Sequence, residues 1–429
     1  MKVKTSWLSR TIGASRVIGK ASIGVIRSKA ATVLGGEEDS TALTKAIVEP
    51  IVKDLGQLKG LMMKIGQVAS YMDFTLPEEA RRVLESLQDS VPPMSPEIVE
   101  SIIEEELGMR PEELFASWNE SPFAAASIGQ VHQATTRDGQ VVAVKVQYPE
   151  IVKALSNDLS GVTALAGSLS PFLSKFKISD IVGEAKTRLF EECDYRKEAG
   201  NQIKFRELHK DYEEVIVPKV IHDMSTERVL TSEFIEAQKL PDFCREASQD
   251  ARNEIGKIIV STIFRSVLKH GFFNGDPHPG NFLIQGRRVV FLDYGHVKIW
   301  DQNLLKKFRR LFRASLLKDR SEWRQAFLDL HQVRDRQRYQ DDFYYELYTE
   351  DLFRPYQGGS FKFTKDFVKE YSQKVMYHTP LKAFAIPHKD LIIWMRLVFG
   401  INAVMAILGA EADWSQQIEP YMNELEKVI

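Results

Sequence analysis

The hydrophobic period of this chain changes along its length. Residues 41–72 place Leu55, Leu58, Met62, Ile65, Ala69 and Met72 at helical spacing. Thr75-Leu76-Pro77-Glu78 has the form of a capping box with proline in the first turn, which predicts a helix to about Gln88. Pro92-Pro93 ends it, and Ser95-Pro96 predicts a new helix to about Leu107. Over 121–148 the pattern turns to strand alternation, with Asp138-Gly139 as a hairpin turn. Helical spacing returns over about 179–210. Residues 215–217 and 229–235 read as short strands, and 248–270 as a helix. Most of 300–429 is predicted helical, with a polar, aromatic-rich connection near 335–360. The most apolar window is 391–410. Arg396 and Asn402 interrupt it, and the uncharged run after Arg396 is shorter than the roughly 20 residues a bilayer span needs, so a buried helix is expected.

Strands early and helices late predict an α+β fold. Four regions are expected: a basic segment over 1–40, a helical extension over 41–120, a strand-rich lobe over 121–236 and a helical lobe over 237–429. Apolar residues at 44% and charged residues at 27% are those of an ordinary globule. A net charge of −2 argues against nucleic acid as a partner. Cys193 and Cys244 form neither a disulfide framework nor a zinc cluster, which fits a reduced compartment. No signal peptide with a cleavage site is recognisable. Lys2, Lys4, Arg10, Arg16, Lys20, Arg27 and Lys29 precede the first acid, Glu37. Three readings of this start stay open: a surface-binding amphipathic helix, a transit peptide, or a basic helix packed on the body or frayed.

Candidate chemistry centres on Asp276-Pro277-His278-Pro279-Gly280-Asn281 and Asp293-Tyr294-Gly295. An Asp with an Asn five positions later fits a kinase catalytic loop. The Asp orients or deprotonates a nucleophile, and the Asn amide oxygen holds magnesium. Asp293 follows the apolar strand Val289-Val290-Phe291-Leu292, where kinase-like folds place a metal-binding carboxylate. Upstream, Val142-Ala143-Val144-Lys145 reads as the strand whose lysine reaches ATP phosphates. Glu233-Phe234-Ile235 falls where a kinase hinge would. A Walker A loop and a glycine-rich kinase loop are both missing. Ala124-Ala125-Ala126-Ser127-Ile128-Gly129 stands in the second one's place, and its methyl groups restrict the approach of backbone to phosphate.

Together with these departures, Lys64-Ile65-Gly66-Gln67, Ala124-Ala125-Ala126-Ser127, Glu192-Cys193-Asp194 and the segment from Asp276 to Asn281 resemble the UbiB (AarF) family of atypical, protein-kinase-like proteins. The resemblance covers roughly residues 50–300. It implies a two-lobed kinase-like fold with a small β-rich N-lobe, a helical C-lobe and an N-terminal helical extension over the active site. It also implies ATP with magnesium or manganese, and a link to isoprenoid quinone or other lipid metabolism. By matching position it makes Lys145 the phosphate lysine and Glu198 its helix partner. Asp276 becomes the catalytic-loop acid, and Asn281 and Asp293 the metal ligands. Ala124, Ala125, Ala126, Ser127, Glu233 and Ile235 fall at the nucleotide. Lys64, Gly66 and Gln67 would gate the site, facing Glu192 and Asp194. Tyr294 replaces the usual Phe, a change expected to matter little.

The expected activity is phosphoryl transfer from ATP to a small molecule, a lipid or water. Peripheral membrane contact through residues 1–30 is expected, in the cytoplasm, or in a mitochondrion or plastid if the source is eukaryotic. Two alternatives remain. His278 in a Gly-Asp-x-His-x-x-Asn loop also resembles aminoglycoside- and choline-kinase-like phosphotransferases. A nucleotide-binding pseudokinase scaffold is the third reading, although it has no need of Asp276, Asn281 and Asp293 together.

Overall fold

The alternation around Lys145 is realised as an antiparallel sheet. The computed structural model describes residues 93–126, 128–149, 193–333, 341–373, 385–387 and 389–426. They fall into two units, Met1–Tyr195 with Thr226–Leu230, and Arg196–Ser225 with Thr231–Ile429.

In the first unit, α1 (Pro96–Leu107) starts where Ser95-Pro96 predicts, with Ser95 at its N-cap position. The Ser95 side chain makes no capping hydrogen bond. The sheet follows as β1 (Phe115–Trp118), β2 (Ala124–Ala126), β3 (Gly129–Thr136) and β4 (Val141–Gln147), so the first strand lies ahead of residue 121. Its order is β1-β3-β4 and then Val229–Glu233, with β2 on β3. Lys145 lies opposite Val131, and Val131 opposite Ala124. Gln147, Gly129 and Ala126 form the next row. Paired residues point to the same side of a sheet, so Lys145 shares a face with the alanine stretch. The alternate residues Val142, Val144 and Val146 are fully buried. α1 packs on β4 and buries Val99, Ile102 and Ile103. Arg228 ties the returning segment to α1 through Glu105 at 2.8 Å and Glu106 at 2.7 Å.

The helix expected over 179–210 is not continuous in its described part. Cys193 is in a turn, Asp194 is irregular, and α2 (Tyr195–Leu208) begins after them. The start is pinned because Tyr195 donates its N–H to the Glu227 carbonyl. The second unit then builds a four-stranded sheet from β5 (Val215–Ile216), β6 (Gln238–Lys239), β8 (Phe282–Gln285) and β9 (Arg288–Phe291), in the order β5-β9-β8-β6. β7 (Phe272–Asn274) pairs with β10 (Val297–Ile299), framing the segment that holds Asp276 and Asp293. α3 (Gln249–Phe264) is capped by the Ser248 hydroxyl and runs into a π-helix, Arg265–His270, just before β7.

α4 (Gln302–Leu316), α5 (Arg320–Leu330), α6 (Lys389–Leu408) and α7 (Ser415–Glu426) complete the unit. Phe264, Phe308 and Phe353 pack their rings against Trp394 of α6. The apolar window is thus a core helix, as expected: Leu397, Ile401, Val404, Met405 and Leu408 are buried. Among the described residues no helix is long and apolar enough to cross a membrane. The connection expected near 335–360 is a correction, because Asp341–Glu346 is α-helical and Leu347–Leu352 a π-helix. Tyr344, Leu347, Tyr348 and Leu352 fall at helical spacing and are buried. Their aromatic character marks core and not loop.

Candidate functional site

The first unit contributes Lys145. Its ammonium lies over the Tyr195 ring, 4.7 Å from the centroid. Tyr195 is fully buried, and an ideal Cβ on Gly129 would lie 2.8 Å from its hydroxyl oxygen. The Gln147 amide donates to the Cys193 carbonyl at 2.9 Å, so the segment carrying Asp194 is stitched to the end of β4. Ala124, Ala125 and Ala126 form β2, an ordinary strand paired with β3 and not an open loop.

The second unit contributes the acids. Asn274, just ahead of the catalytic loop, accepts the Asp276 N–H at 2.8 Å on its side-chain oxygen. Its side-chain nitrogen donates to the Asp293 carbonyl. One side chain therefore fixes two predicted acids. Asn281 donates its amide N–H to the Asp276 carbonyl at 3.0 Å. That assigns the amide nitrogen inward and leaves its oxygen as the acceptor for a cation. Leu292 donates its N–H to the Asn281 carbonyl at 2.9 Å, tying the loop to the end of β9. Asp293 has φ of 60°, in the left-handed region that few non-glycine residues adopt. Its Oδ1 accepts the Gly295 N–H at 3.1 Å. The other carboxylate oxygen remains for a metal.

Asn281 and Asp293 fit magnesium or manganese by their donor chemistry: one neutral and one anionic oxygen, with the remaining positions suited to phosphate and water. Among the described residues no cluster of three or more His, Cys, Asp or Glu forms an all-protein metal cage. His278 accepts the Gly280 N–H at 3.1 Å, so it shapes the loop turn. Tyr294 is buried and donates its hydroxyl to the Phe291 carbonyl at 2.9 Å, which satisfies the extra oxygen it carries relative to Phe. Burial first, and the Asp293 charge second, push its phenol well above the usual range.

Glu198 is buried on α2, in the same unit as the acids. On that helix the Asn201 amide donates to the Tyr294 carbonyl at 3.0 Å, which holds α2 to the Asp-Tyr-Gly segment. Glu233 donates its N–H to the Lys219 carbonyl at 2.8 Å, and its carboxylate accepts the Lys219 N–H at 3.2 Å. Glu233 and Ile235 line a cavity of about 480 Å³ with Arg206, Tyr212 and Arg288. The cavity contains none of Asp276, Asn281 and Asp293. A much smaller cavity, about 30 Å³, is the one that touches Asp276, Asn281 and Leu397. Lys64, Gly66, Gln67, Ser127 and Glu192 lie outside the described residues, as do residues 1–30.

Three residues escaped the sequence reading. Asn274 carried no signal beyond its adjacency to Gly275-Asp276. Asn201 looked like any polar helix residue. Arg396 was read only as an interruption of an apolar helix, and it donates from Nη2 to Asp276 Oδ1 at 3.1 Å. A lone charge in so apolar a window is the signal that marks it.

Residues 86–327 match the ABC1 atypical kinase-like domain. A chloroplastic aarF domain-containing protein kinase of Arabidopsis thaliana, itself uncharacterised, is 38% identical over 262 residues, 60% of this chain and 37% of that protein. The mitochondrial atypical kinase COQ8 of Saccharomyces cerevisiae is 32% identical over 287 residues, 66% of this chain and 56% of that protein. AarF domain-containing protein kinase 1 of Gallus gallus is 32% identical over 269 residues, 61% and 52% respectively. The chain thus matches between about a third and somewhat over half of the length of these relatives. Among solved structures, Rv3197 of Mycobacterium tuberculosis in complex with erythromycin superposes with a TM-score of 0.64 at 27% identity, covering 89% of this chain and 97% of that one. With more than half of its length matched to one domain, the chain belongs to the ABC1 (AarF, UbiB) family of atypical kinase-like proteins.

Proposed function

We propose that this protein binds ATP with magnesium or manganese and transfers the terminal phosphoryl group to a small molecule, a lipid or water. The observation that carries the reading is the Asn274 bridge. It holds the Asp276 backbone and the Asp293 backbone together, while Asn281 is fixed on Asp276. A scaffold that merely bound nucleotide would not need an ordered acceptor-side acid beside two ordered metal ligands. This favours an enzyme over a pseudokinase.

The roles follow from the chemistry. Phosphoryl transfer needs positioning and charge neutralisation more than covalent participation. A divalent cation, when bound, supplies neutralisation of phosphate charge. Asn281 Oδ1 and the free oxygen of Asp293 hold it. Lys145 meets the phosphates, with Glu198 as the carboxylate that orients it. Asp276 receives or orients the acceptor hydroxyl. Glu233 and Ile235 supply hinge backbone to the base, and Ala124 to Ser127 cover the phosphates. Lys64, Gly66 and Gln67, with Glu192 and Asp194, gate the site against bulky peptide acceptors. Residues 1–30 contact an anionic membrane surface.

An acceptor from isoprenoid quinone or lipid metabolism is supported by the family resemblance. That a structural relative binds erythromycin supports a bulky amphiphilic ligand class. Metal-dependent nucleotide binding and ATP turnover by the full chain test the reading, with phenols and lipid vesicles as additives. Asp276→Asn keeps binding and loses turnover. Equal loss of both, or no metal-dependent binding by the parent, overturns it.

A further inference from the structure

Lys145 is the residue on which phosphate recognition rests, and a flexible lysine needs something to hold it. In the first unit that neighbour is an aromatic face. The Lys145 ammonium stands 4.7 Å from the Tyr195 ring centroid, well inside the range of cation–π attraction. The ring itself is held at several points. Tyr195 is fully buried, and its N–H is donated to the Glu227 carbonyl at 3.1 Å. Its hydroxyl end abuts β3 at Gly129, where any Cβ would come within 2.8 Å of the phenol oxygen and 2.3 Å of the Val146 carbonyl oxygen. Only a glycine lets the ring reach that far across the sheet. Gly129 and Val131 lie on the Lys145 face, opposite Gln147 and Lys145 in register. Tyr195 therefore underlies the same face as Ala124 and Ala126. The residue just before it is Asp194, and Gln147 holds the segment through the Cys193 carbonyl.

We infer that Tyr195 is a positioning residue for Lys145, acting beside the carboxylate proposed for that role: its ring is a platform that holds the ammonium in place for the nucleotide phosphates. This rests on the proposed ATP-binding function and deepens it. The choice of a ring has a physical reason. A ring face attracts the ammonium by its quadrupole and carries no net charge. It removes the rotamer freedom of the long lysine while leaving its positive charge for the phosphates. Gly129 and Tyr195 form one device, since the glycine makes room for the phenol that sets the ring height.

The usual strength of a cation–π contact corresponds to roughly 3- to 30-fold in an equilibrium constant. Tyr195→Phe keeps the face and loses only the hydroxyl. Tyr195→Leu keeps bulk and burial but removes the face. The test measures MgADP and MgATP affinity of the full chain for parent, Y195F, Y195L, K145M and the Y195L/K145M pair, together with thermal stability. Y195F is expected to stay within about 3-fold of the parent, and Y195L to weaken binding about 3- to 30-fold. Adding K145M to Y195L should cost less than K145M costs in the parent, because the two act as one unit. Equal affinities for Y195F and Y195L overturn the inference. A parent that binds no nucleotide would refute the functional reading instead. The platform is then judged by NMR of protein labelled with carbon-13 lysine. The Lys145 ε-methylene protons, assigned by loss of the signal in K145R, should be shifted upfield by the ring in the parent and Y195F and return to ordinary values in Y195L. An unshifted Lys145 signal in the parent overturns the platform whatever the nucleotide result.

Discussion

Arg396 of α6 grips Asp276, Nη2 to Oδ1 at 3.1 Å, with only about a tenth of either side chain exposed. The helix seats itself on the loop around this pair. Leu397 lines the small cavity with Asp276, and Ile393 lies against Gly275. A C-terminal helix therefore sets the rotamer of an acid that lies 120 residues earlier. Removing one partner of a buried ion pair leaves the other uncompensated, at a cost of about 3–5 kcal/mol. Arg396→Met should destabilise the protein by that order and lower turnover on the order of 100-fold through misplacement of Asp276. In the Asp276→Asn background the same change should destabilise it much less. Urea unfolding of the four proteins reads the coupling, and additive costs would mean the pair is incidental.

Asp293 combines the carboxylate proposed to hold a metal with a left-handed backbone, φ 60°. The two demands separate by substitution. Asn tolerates this backbone and keeps an acceptor for the Gly295 N–H, but it lacks the charge that holds a cation. Ala lacks all three, and a Cβ without a compensating local hydrogen bond costs about 1–2 kcal/mol there. Asp293→Asn should melt close to the parent while losing most metal-dependent nucleotide affinity. Asp293→Ala should lose that affinity and melt several degrees lower. Calorimetry with and without magnesium and ADP checks both. Unchanged metal-dependent affinity in either variant removes Asp293 from the site.

Gly400 packs α6 directly against Pro277 of the loop. A Cβ there would lie 2.3 Å from Pro277 Cγ and 3.1 Å from the Pro277 carbonyl oxygen. Gly400→Ala gains about 0.5–1 kcal/mol of helix propensity. Overpacking costs about 1–3 kcal/mol, so the net effect on stability is small and unfavourable. The proline ring is rigid, so the loop must move with it. Turnover should fall more than the melting temperature suggests, with nucleotide affinity nearly kept. A stability loss with unchanged turnover would show that the loop absorbs the push without moving Asp276.

The legible parts of this fold were those written in short periods. The alternation about Val142 and Val144 gave β4 and its partner, and the Ser95-Pro96 pair gave the start of α1. The apolar 391–410 window gave a buried helix because burial on all sides needs no stripe. Asp276, Asn281 and Asp293 stand out as candidates because their spacing is set by a loop and a hairpin, both local in sequence. Asn274, Asn201 and Arg396 do not, since each acts through a partner between 19 and 120 residues away and no periodicity encodes that. The segment from Asp341 to Leu352 misled for a related reason. The polar residues around it suggest a connection, whereas Tyr344 and Tyr348 are core rings.

The nearly uniform helix prediction over 179–210 erred at Asp194, and the cause is again tertiary. Returning residues 226–228 offer Tyr195 a carbonyl partner, so the helix is pinned there. Local propensity is a weak prior against such a partner.

His209, at the end of α2, is a buried neutral imidazole. It donates Nδ1–H to the Phe205 carbonyl at 2.9 Å, and Nε2 faces the Ser266 hydroxyl at 3.1 Å. The groups around it are the Arg265 guanidinium, the His270 ring and the Tyr212 ring. Burial foremost depresses its pKa from 6.5 to about 4; the hydrogen bond to the Phe205 carbonyl opposes this, and the nearby Arg265 and His270 add to the lowering. The unfolded chain therefore binds this proton at a higher pH than the folded one. Its contribution to stability is complete above pH 6.5, is lost as pH falls from there toward 4, and changes no further below. Over that window the loss amounts to about 3 kcal/mol. His209→Gln keeps an amide donor and acceptor and cannot titrate. Its stability should be lower than the parent's at pH 7.5, and the gap should narrow or reverse by pH 4.5. Urea midpoints for both proteins across this range give the difference directly, with the carboxylates common to both cancelling. Parallel curves would mean that His209 is protonated alike in the folded and unfolded chain.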